Sequence, residues 1–278
     1  MNNNILSIIT VNYNNNEGLK KTLKSVKEQS FSSYDHIIID AGSTDGSTDT
    51  ILLYAEENPH LKYWISEPDN GIYDGMNKGI EHSNSEYLYF LNSGDCLSKD
   101  ILKDIPFDGT GYIYGNMKIV RGKKTKERVP PAIPDLVYLC NNSLPHQACF
   151  IHSSLFFKRK YDINYKIISD WAHTFSSLII ERCSYRYIPL TISEFDGTGV
   201  SSINKKQLGQ ERTKWFLNNF PPILSESFIN CAELDNSSFR SVIPLLSKTR
   251  KFKKRMKSLI LFLYKINSFF SKSKFMPF

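Results

Sequence analysis

The segment Tyr87-Leu-Tyr-Phe-Leu-Asn-Ser-Gly-Asp95 joins an apolar run to a polar turn. Its first five residues are aromatic or leucine, which is typical of a strand buried on both faces of a sheet. Ligands of open α/β sheets bind just beyond the carboxyl ends of the strands. Asp95 would therefore be placed to hold a divalent cation and, through it, a diphosphate. The alternative is an ordinary turn, since Asn, Ser, Gly and Asp are common turn residues.

The same pattern of apolar run and polar loop occurs three times before this segment. Runs at 5–11, 37–39 and 62–66 predict strands, and apolar residues at helical spacing predict helices at 17–29, 48–57 and 75–82, the first capped by Asn16. Alternating strands and helices indicate a mostly parallel sheet. The loops 12–16, 40–45, 69–74 and 92–95 would then line one crevice. A P-loop kinase and a dinucleotide enzyme are disfavoured, because neither GxxxxGK[ST] nor a GxGxxG after the first strand is present.

The second half of the chain is less regular. It predicts strands at 111–120, 121–128, 147–152 and 184–192, a helix beginning near Asp170 and another at 205–219. We expect a catalytic body over 1–220, divided into a nucleotide-binding half at 1–96 and an acceptor-binding half at 97–220. Residues 221–278 form a basic, amphipathic C-terminal helical tail in this interpretation.

The net charge of +7 on the 278 residues comes from the C-terminal segment. Residues 247–278 contain ten Lys or Arg and no acid, so residues 1–246 carry 7 − 10 = −3. This argues against a nucleic-acid-binding body. The basic cluster 247–257 precedes an apolar stretch that is too short to span a bilayer, which fits a segment lying on an anionic membrane surface. A helix packed on the body or a dimer contact is the alternative.

Other composition signals exclude several classes of protein. The five cysteines form no CxxC pair, so neither a zinc site nor a disulfide framework is indicated and a reducing compartment is the simpler interpretation. The start Met1-Asn-Asn-Asn4 lacks the features of a signal peptide.

Four motifs carry a resemblance to a known family: Ile8-Ile-Thr-Val-Asn-Tyr-Asn14, Ile39-Asp-Ala-Gly-Ser-Thr-Asp-Gly-Ser47, Ser66-Glu-Pro-Asp-Asn-Gly-Ile-Tyr-Asp-Gly-Met-Asn-Lys-Gly79 and Leu91-Asn-Ser-Gly-Asp95. In this order and spacing the chain resembles, over about residues 5–200, the inverting glycosyltransferases of family 2. The resemblance implies a GT-A fold, a Rossmann-like, mostly parallel sheet flanked by helices. It is strongest to bacterial enzymes that build surface polysaccharides such as O-antigen and capsule.

The resemblance implies a substrate pair and a location. The donor would be a UDP-sugar that gives up a hexose or N-acetylhexosamine, and the acceptor a lipid-diphosphate-linked saccharide. The enzyme would be peripheral on the cytoplasmic face of the inner membrane, and a homodimer is possible.

Several residues match donor-binding positions of the family. Tyr13, after Val11 on the first strand, would lie against the uracil ring, and Asp40 would bind the base, although Ala41 replaces a second acid. Asp69, Asn70 and Asn77 would face the same crevice. The alternatives are a Tyr13 that packs on its own helix, and ordinary cap and turn roles for the three polar residues. Asp45 and Asp49 fit a turn and a helix N-terminus.

The metal motif of the family appears here as Asn92-Ser93-Gly94-Asp95. Asp95 would be the single carboxylate on Mg²⁺ or Mn²⁺, and Asn92 would bond a ribose hydroxyl or a metal-bound water. With so few protein charges, we expect weak cation binding without the nucleotide.

The family's base matches Ile168-Ser-Asp-Trp171, with Ser169 in place of a first acid and Asp170 as the base. Asp170 as a mere helix-terminal residue is the alternative, and Trp171 would be either an acceptor platform or a core residue. His146 would contact the diphosphate or the acceptor, or serve structurally. The loop 195–202 resembles one that closes on the donor in relatives.

Two other functions remain open from the sequence. A sugar-1-phosphate nucleotidyltransferase would need a Gly-rich, Lys- or Arg-bearing loop after the first strand, which 12–16 lacks. A catalytically degenerate nucleotide-sugar-binding scaffold would account for Ala41, Gly94 and Ser169 where the family has acids.

Overall fold

The computed structural model of the chain describes residues 4–197 and 205–235. The strands are β1 (Leu6–Asn12), β2 (Tyr34–Asp40), β3 (Leu61–Ser66), β4 (Tyr87–Phe90), β5 (Cys96–Leu97), β6 (Tyr112–Arg121), β7 (Lys124–Arg128), β8 (Cys149–His152) and β9 (Tyr185–Asp196). The helices are α1 (Asn16–Lys27), α2 (Ser47–Glu57), α3 (Ile72–Glu81), α4 (Leu136–Asn141), α5 (Ser154–Lys158), α6 (Ser169–Phe175), α7 (Lys205–Asn219) and α8 (Pro222–Asp235).

One mixed sheet runs through the described residues in the order β3-β2-β1-β4-β8-β6-β9-β5, with β7 paired to β6. The first four strands are parallel, as predicted. β8 then runs antiparallel to β4, and β6 antiparallel to β8. The carboxyl ends of β1 to β4 therefore meet at one edge, where the sequence predicted the crevice.

The prediction that β4 is buried on both faces is confirmed. Tyr87 and Tyr89 belong to one hydrophobic cluster, and Leu88 and Phe90 belong to the cluster on the other face. All four side chains are essentially inaccessible to solvent. A strand covered on both faces has a fixed register, because a slip by one residue would exchange its two faces. The turn that follows β4 is therefore held in a defined position.

Helix α3 packs unusually close to β1 through two glycines one turn apart. A Cβ at Gly79 would lie 2.4 Å from the Ile9 side chain, and one at Gly75 would lie 2.8 Å from Val11. No larger side chain fits without displacing one of these elements. This contact fixes the loop before α3, which carries Asp69, against the end of β1.

The second half completes the sheet and adds a helical layer. α6, α7 and α8 enclose an aromatic cluster that includes Trp171, Phe175 and Phe216. Trp171 is only 1% exposed, and its Nε1 donates to the Leu139 carbonyl at 2.6 Å. The suggestion that Trp171 forms an acceptor platform is therefore corrected: it is a core residue.

Three details differ from the sequence predictions. The side chain that caps α1 is that of Asn15, which accepts from the Gly18 amide at 3.2 Å, and not that of Asn16. α4 was not predicted. The bounds of α8 were not predicted either, although this helix lies within the predicted C-terminal helical tail, 221–278. α8 packs on the body, where Phe228 and Ile229 contact the aromatic cluster.

The basic segment 247–278 lies outside the described residues, as do residues 198–202 of the predicted closing loop. Across 4–197 and 205–235, no helix combines the length and apolar character needed to cross a bilayer.

Candidate functional site

A cavity of about 790 Å³ opens at the carboxyl ends of the parallel strands. Loops after β1, β3 and β4 line it together with α6 and the end of β9. Eight of the eleven predicted site residues belong to its lining: Val11, Tyr13, Asp69, Asn92, Ser93, Asp95, His146 and Asp170. Asp40, Asn70 and Asn77 do not.

Tyr13 is presented to the cavity by two interlocked loops. The Asn14 Oδ1 accepts from the Thr44 amide at 2.9 Å, and the Asn14 amide donates to the Ser43 hydroxyl at 2.8 Å. Asn14 itself has a φ of 45°, a left-handed conformation that Asn tolerates better than most residues. The Tyr13 ring remains 65% exposed, so it does not pack on its own helix and is free to stack on a planar ligand.

Asp40 lies beneath the cavity and is fully buried. Its Oδ1 accepts from Asn12 Nδ2 and the Ser43 hydroxyl, both at 2.6 Å. Its Oδ2 accepts from the Ser43 amide at 2.9 Å and the Ser66 hydroxyl at 2.6 Å.

Four donors occupy the four lone-pair positions of this carboxylate. Burial acts to raise the pKa of Asp40, but these hydrogen bonds outweigh burial and leave the pKa below its ordinary value. In this structure the carboxylate organises the loops on which Tyr13 and Ala41 lie, and its direct contact with a base stays a prediction.

The three polar residues around α3 separate into different roles. Asp69 lines the cavity, and among the described residues no donor reaches its Oδ2. Burial raises the pKa of Asp69, because it removes water from the carboxylate. A ligand hydroxyl or N–H that donated to Oδ2 would offset this loss of solvation. Asn77 instead exchanges two hydrogen bonds with the Tyr161 backbone, at 2.8 and 3.0 Å. The Asn70 amide donates to Asp74. Neither reaches the cavity lining.

Asp95 and Asp196 form a carboxylate pair at the cavity wall. β5 pairs with β9, which brings the end of β9 next to the turn after β4. The Asp196 amide donates to Asp95 Oδ1 at 2.9 Å. Asp95 is 4% exposed, and this burial, together with the charge of Asp196, raises its pKa to about 7.

This arrangement fits a divalent cation. The Asn92 Oδ1 faces no donor among the described residues, and a carboxylate with a raised pKa gains from a nearby positive charge. Oxygen ligands of this kind suit Mg²⁺ or Mn²⁺. The described residues contain no cluster of three or more His, Cys, Asp or Glu with metal-binding geometry. A diphosphate and water would therefore have to complete the oxygen shell.

Asp170 lies in the first turn of α6 and lines the same cavity. The Tyr73 hydroxyl from α3 is 2.8 Å from Asp170 Oδ1 and 2.8 Å from the Ile167 carbonyl oxygen. The neighbouring Ser169 is buried. The carboxylate is therefore fixed from two sides, by its helix and by a tyrosine from α3.

His146 lines the cavity but is held from behind. Its Nε2 shares a hydrogen bond of 2.8 Å with the Tyr161 hydroxyl, and its ring stacks on Phe90 with centroids 5.2 Å apart. Burial lowers the pKa of His146, because it disfavours the imidazolium. The residue is thus a neutral ring at neutral pH and brings no positive charge to a phosphate.

Several lining residues were not identified from the sequence: Tyr73, Gln147, Lys166 and Asp196. Tyr73 lies in the motif 66–79 and Asp196 in the loop 195–202. The family resemblance involves both segments, so the sequence did contain a signal for these two residues. Lys166 had none: its position at the cavity, where its Nζ donates to the Asn70 carbonyl at 3.0 Å, depends on the tertiary fold. Asp45 has the expected turn role, since it accepts from the Asn16 amide and the Ser47 hydroxyl.

Comparisons with known proteins agree with this architecture. The family model "Glycosyl transferase family 2" matches residues 7–166, which is more than half of the chain. An uncharacterized glycosyltransferase of Mycobacterium tuberculosis is 33% identical over 207 residues, covering 71% of this chain and 77% of the relative. A Bacillus subtilis protein, the putative teichuronic acid biosynthesis glycosyltransferase TuaG, is 32% identical over 117 residues, 39% of this chain and 46% of that protein.

Solved structures share the fold at low sequence identity. Staphylococcus aureus TarS 1-349 in complex with UDP-GlcNAc superposes with a TM-score of 0.63 at 16% identity, covering 90% of this chain and 77% of that one. The Pyrobaculum calidifontis mannosyltransferase PcManGT, in complex with GDP-Man and Mn²⁺, gives 0.59 at 13% identity, covering 97% and 83%. With its GT-A fold and the family match over residues 7–166, the chain belongs to glycosyltransferase family 2 and is a transferase enzyme.

Proposed function

We propose that this chain is a metal-dependent, inverting glycosyltransferase. It transfers a hexose or N-acetylhexosamine from a UDP-sugar to a lipid-linked saccharide in the synthesis of a surface polysaccharide such as O-antigen or capsule. One observation carries the proposal: a single cavity is lined by the buried Asp95, by the exposed Asp196 beside it and by Asp170 at the start of a helix. Asp95 and Asp196 are suited to a cation with a diphosphate, and Asp170 is suited to accepting a proton.

The donor nucleotide would lie along the ends of β1 and β4. Tyr13 offers an exposed ring for the uracil, Val11 packs beside it, and Asp69 Oδ2 accepts from a base or ribose donor. Asn92 and Ser93 extend this surface towards the diphosphate. TarS structures in complex with UDP and UDP-GlcNAc support a uridine nucleotide.

Asp95 and Asp196 would hold the cation, which when bound supplies positive charge to the leaving diphosphate. The pair binds a cation best when Asp95 is ionised, that is, above the pKa of about 7 that burial gives it. The Mn²⁺ complex of the mannosyltransferase neighbour supports a divalent ion.

In the transfer step, Asp170 takes the proton from the acceptor hydroxyl. The hydroxyl oxygen forms a bond to the anomeric carbon, and the bond from that carbon to the diphosphate oxygen breaks, with its electron pair leaving on UDP. One displacement inverts the anomeric centre. Tyr73 positions Asp170 through the 2.8 Å contact with Oδ1.

The proposed acceptor and location are supported by the name of a relative and by the charge of the C-terminal segment. TuaG bears the name of a surface-polymer pathway, which favours a lipid-linked acceptor at the cytoplasmic face of the membrane. We assign membrane attachment to the basic segment 247–278, which lies outside the described residues.

The test compares Asp170→Asn with Asp49→Asn, which alters an exposed acid in the first turn of α2. Purified proteins are incubated with labelled UDP-sugars, Mn²⁺ and lipid extract of the source organism, and glycosylated lipid is measured. Asp170→Asn should lose transfer by a factor on the order of a thousand with unchanged UDP affinity, and Asp49→Asn should retain it. Full turnover by Asp170→Asn would contradict its role as base. Absence of product from the unaltered protein with every UDP-sugar would favour the scaffold alternative.

A further inference from the structure

A basic β-hairpin stands beside the cavity. It is formed by the end of β6 and by β7, joined at Gly122, and it exposes Arg121, Lys123, Lys124 and Lys126. Within 4–197 and 205–235, no carboxylate lies within 4.0 Å of any of these four cations. The hairpin also contains an acid, Glu127, whose Oε1 accepts a hydrogen bond from the Thr191 hydroxyl at 2.6 Å.

The loop that follows the hairpin exposes apolar side chains. Val129 is 60% exposed and Ile133 is 73% exposed. The loop is anchored from inside, because the Tyr114 hydroxyl lies 2.9 Å from the Pro131 carbonyl oxygen and 3.1 Å from that of Ala132. The apolar side chains are thus held outward by a fixed backbone, next to four cations that have no carboxylate partner in the described part of the chain. We call Arg121, Lys123, Lys124, Lys126, Val129 and Ile133 the hairpin surface.

The hairpin surface adjoins the cavity through strand pairing. β6 runs alongside β9 so that Val120 is opposite Asp196, which lines the cavity. The Gly197 amide continues this contact by donating to the Val120 carbonyl at 2.9 Å. Whatever binds the hairpin surface is therefore brought close to the end of the cavity that holds the carboxylate pair.

We propose that the hairpin surface docks on a bilayer that contains anionic lipid. Lysines on the edge strand β7 would also prevent pairing with other strands, but that role does not account for exposed Val129 and Ile133. A soluble polyanion would match the charges and leave the apolar side chains in water. An anionic bilayer matches both, since it attracts cations at its headgroups and accepts apolar side chains beneath them. This inference extends beyond the proposed reaction and is tested by binding alone.

The experiment measures partitioning of the full chain to vesicles of phosphatidylcholine with and without phosphatidylglycerol. One variant carries Lys123→Gln, Lys124→Gln and Lys126→Gln. The matched control carries Lys21→Gln, Lys62→Gln and Lys158→Gln, three exposed lysines elsewhere that remove the same net charge. Because each headgroup contact is worth about 1 kcal/mol, the hairpin variant should bind anionic vesicles on the order of a hundredfold more weakly. The affinity of the control variant for these vesicles should fall by less than about tenfold.

A third variant, Ile133→Ser, tests the apolar part and should weaken vesicle binding even at high salt. Circular dichroism and UDP binding confirm that each variant is folded. The proposal is overturned if the hairpin variant and its control bind vesicles equally. It is also overturned if Ile133→Ser has no effect and soluble polyphosphate binding falls as much as vesicle binding, since the surface would then recognise a polyanion.

Discussion

Tyr73 connects the two halves of the site at a single atom. Its ring is buried, and its hydroxyl lies 2.8 Å both from Asp170 Oδ1 and from the Ile167 carbonyl oxygen. The hydroxyl has one proton, so it donates to one of these oxygens at a time. Donation to Asp170 fixes the carboxylate and leaves its second oxygen for the acceptor.

Tyr73→Phe should therefore lower kcat by about fivefold, because it removes a hydrogen bond worth about 1 kcal/mol from the proposed base. KM for the UDP-sugar should not change, since the proposed donor contacts do not include Tyr73. Steady-state kinetics with the lipid acceptor measure both values. Tyr63→Phe is the control, as its hydroxyl has no hydrogen-bond partner within the described part of the chain and its ring stacks on His82. Equal kcat values for Tyr73→Phe and Tyr63→Phe would show that the Tyr73 hydroxyl does not assist the transfer step.

The pKa of Asp95 predicts a pH dependence of stability. Its pKa rises from 3.8 to about 7 on folding, mainly through burial. Folding therefore takes up a proton between these values, and the stability contributed by this group falls as pH increases through that window. Asp95→Asn removes the buried charge and retains an oxygen for the Asp196 amide.

At pH 8 and without metal, Asp95→Asn should have a free energy of unfolding a few kcal/mol above that of the unaltered protein, and the difference should shrink towards pH 5. Urea unfolding at several pH values measures it. Mn²⁺ with UDP should stabilise the unaltered protein and not the variant. Asp49→Asn serves as an exposed control. Parallel pH curves for the unaltered protein and Asp95→Asn would contradict the assigned burial cost.

Single residues were predictable from the sequence where a motif fixed both type and position. Asp95, Tyr13 and Asp170 lie in the cavity because each follows a strand or starts a helix that the sequence also predicts. The structural role of Asp40 was not predictable, because the sequence does not reveal that Asn12, Ser43 and Ser66 all donate to it. Trp171 lies in the core since α7 and α8 cover it, and that packing depends on residues far along the chain.

At the scale of elements, the contact between α3 and β1 depends on glycine. Gly79→Ala would place a Cβ 2.4 Å from Ile9, so the helix must move away from the sheet. We expect a loss of about 1–3 kcal/mol in the free energy of unfolding and weaker UDP binding, because the loop with Asp69 moves with α3. Urea unfolding and calorimetry measure the two effects.

The control is Gly209→Ala in α7, where the added Cβ meets no atom within 4 Å. It should raise stability by about 0.4–1 kcal/mol. If Gly79→Ala were as stable as Gly209→Ala, the close approach of α3 would not be needed for the fold.

The predictable elements are those with a strong local pattern. β1, β2 and β4 are apolar runs, and α1 has a regular apolar face. These strands and this helix were therefore predicted, and their ends differ from the observed ends by a few residues. β5 has two residues and α4 six, too few for a period to be visible. α8 lies within the predicted helical tail 221–278, but its bounds were not predicted, because they depend on its packing against α4 and α7.

At the scale of the whole molecule, one sheet brings together groups that are distant in the chain. Its parallel half supplies Tyr13, Asp69 and Asp95, and the later segment supplies Asp170 and Asp196. The family model ends at residue 166, before both of these last acids. Asp170, the proposed proton acceptor, and Asp196 therefore come from the less regular part of the fold, which is also where sequence patterns were weakest.

The central claim is a uridine-nucleotide site whose affinity depends on a cation at Asp95 and Asp196. Calorimetric titration with UDP, GDP and TDP, each in Mn²⁺ and in EDTA, tests it most directly. We predict that UDP binds in Mn²⁺ at least about tenfold more tightly than GDP or TDP, and that EDTA or Asp95→Asn abolishes this advantage. UDP binding of equal strength in Mn²⁺ and EDTA, or no preference for UDP, would contradict the account.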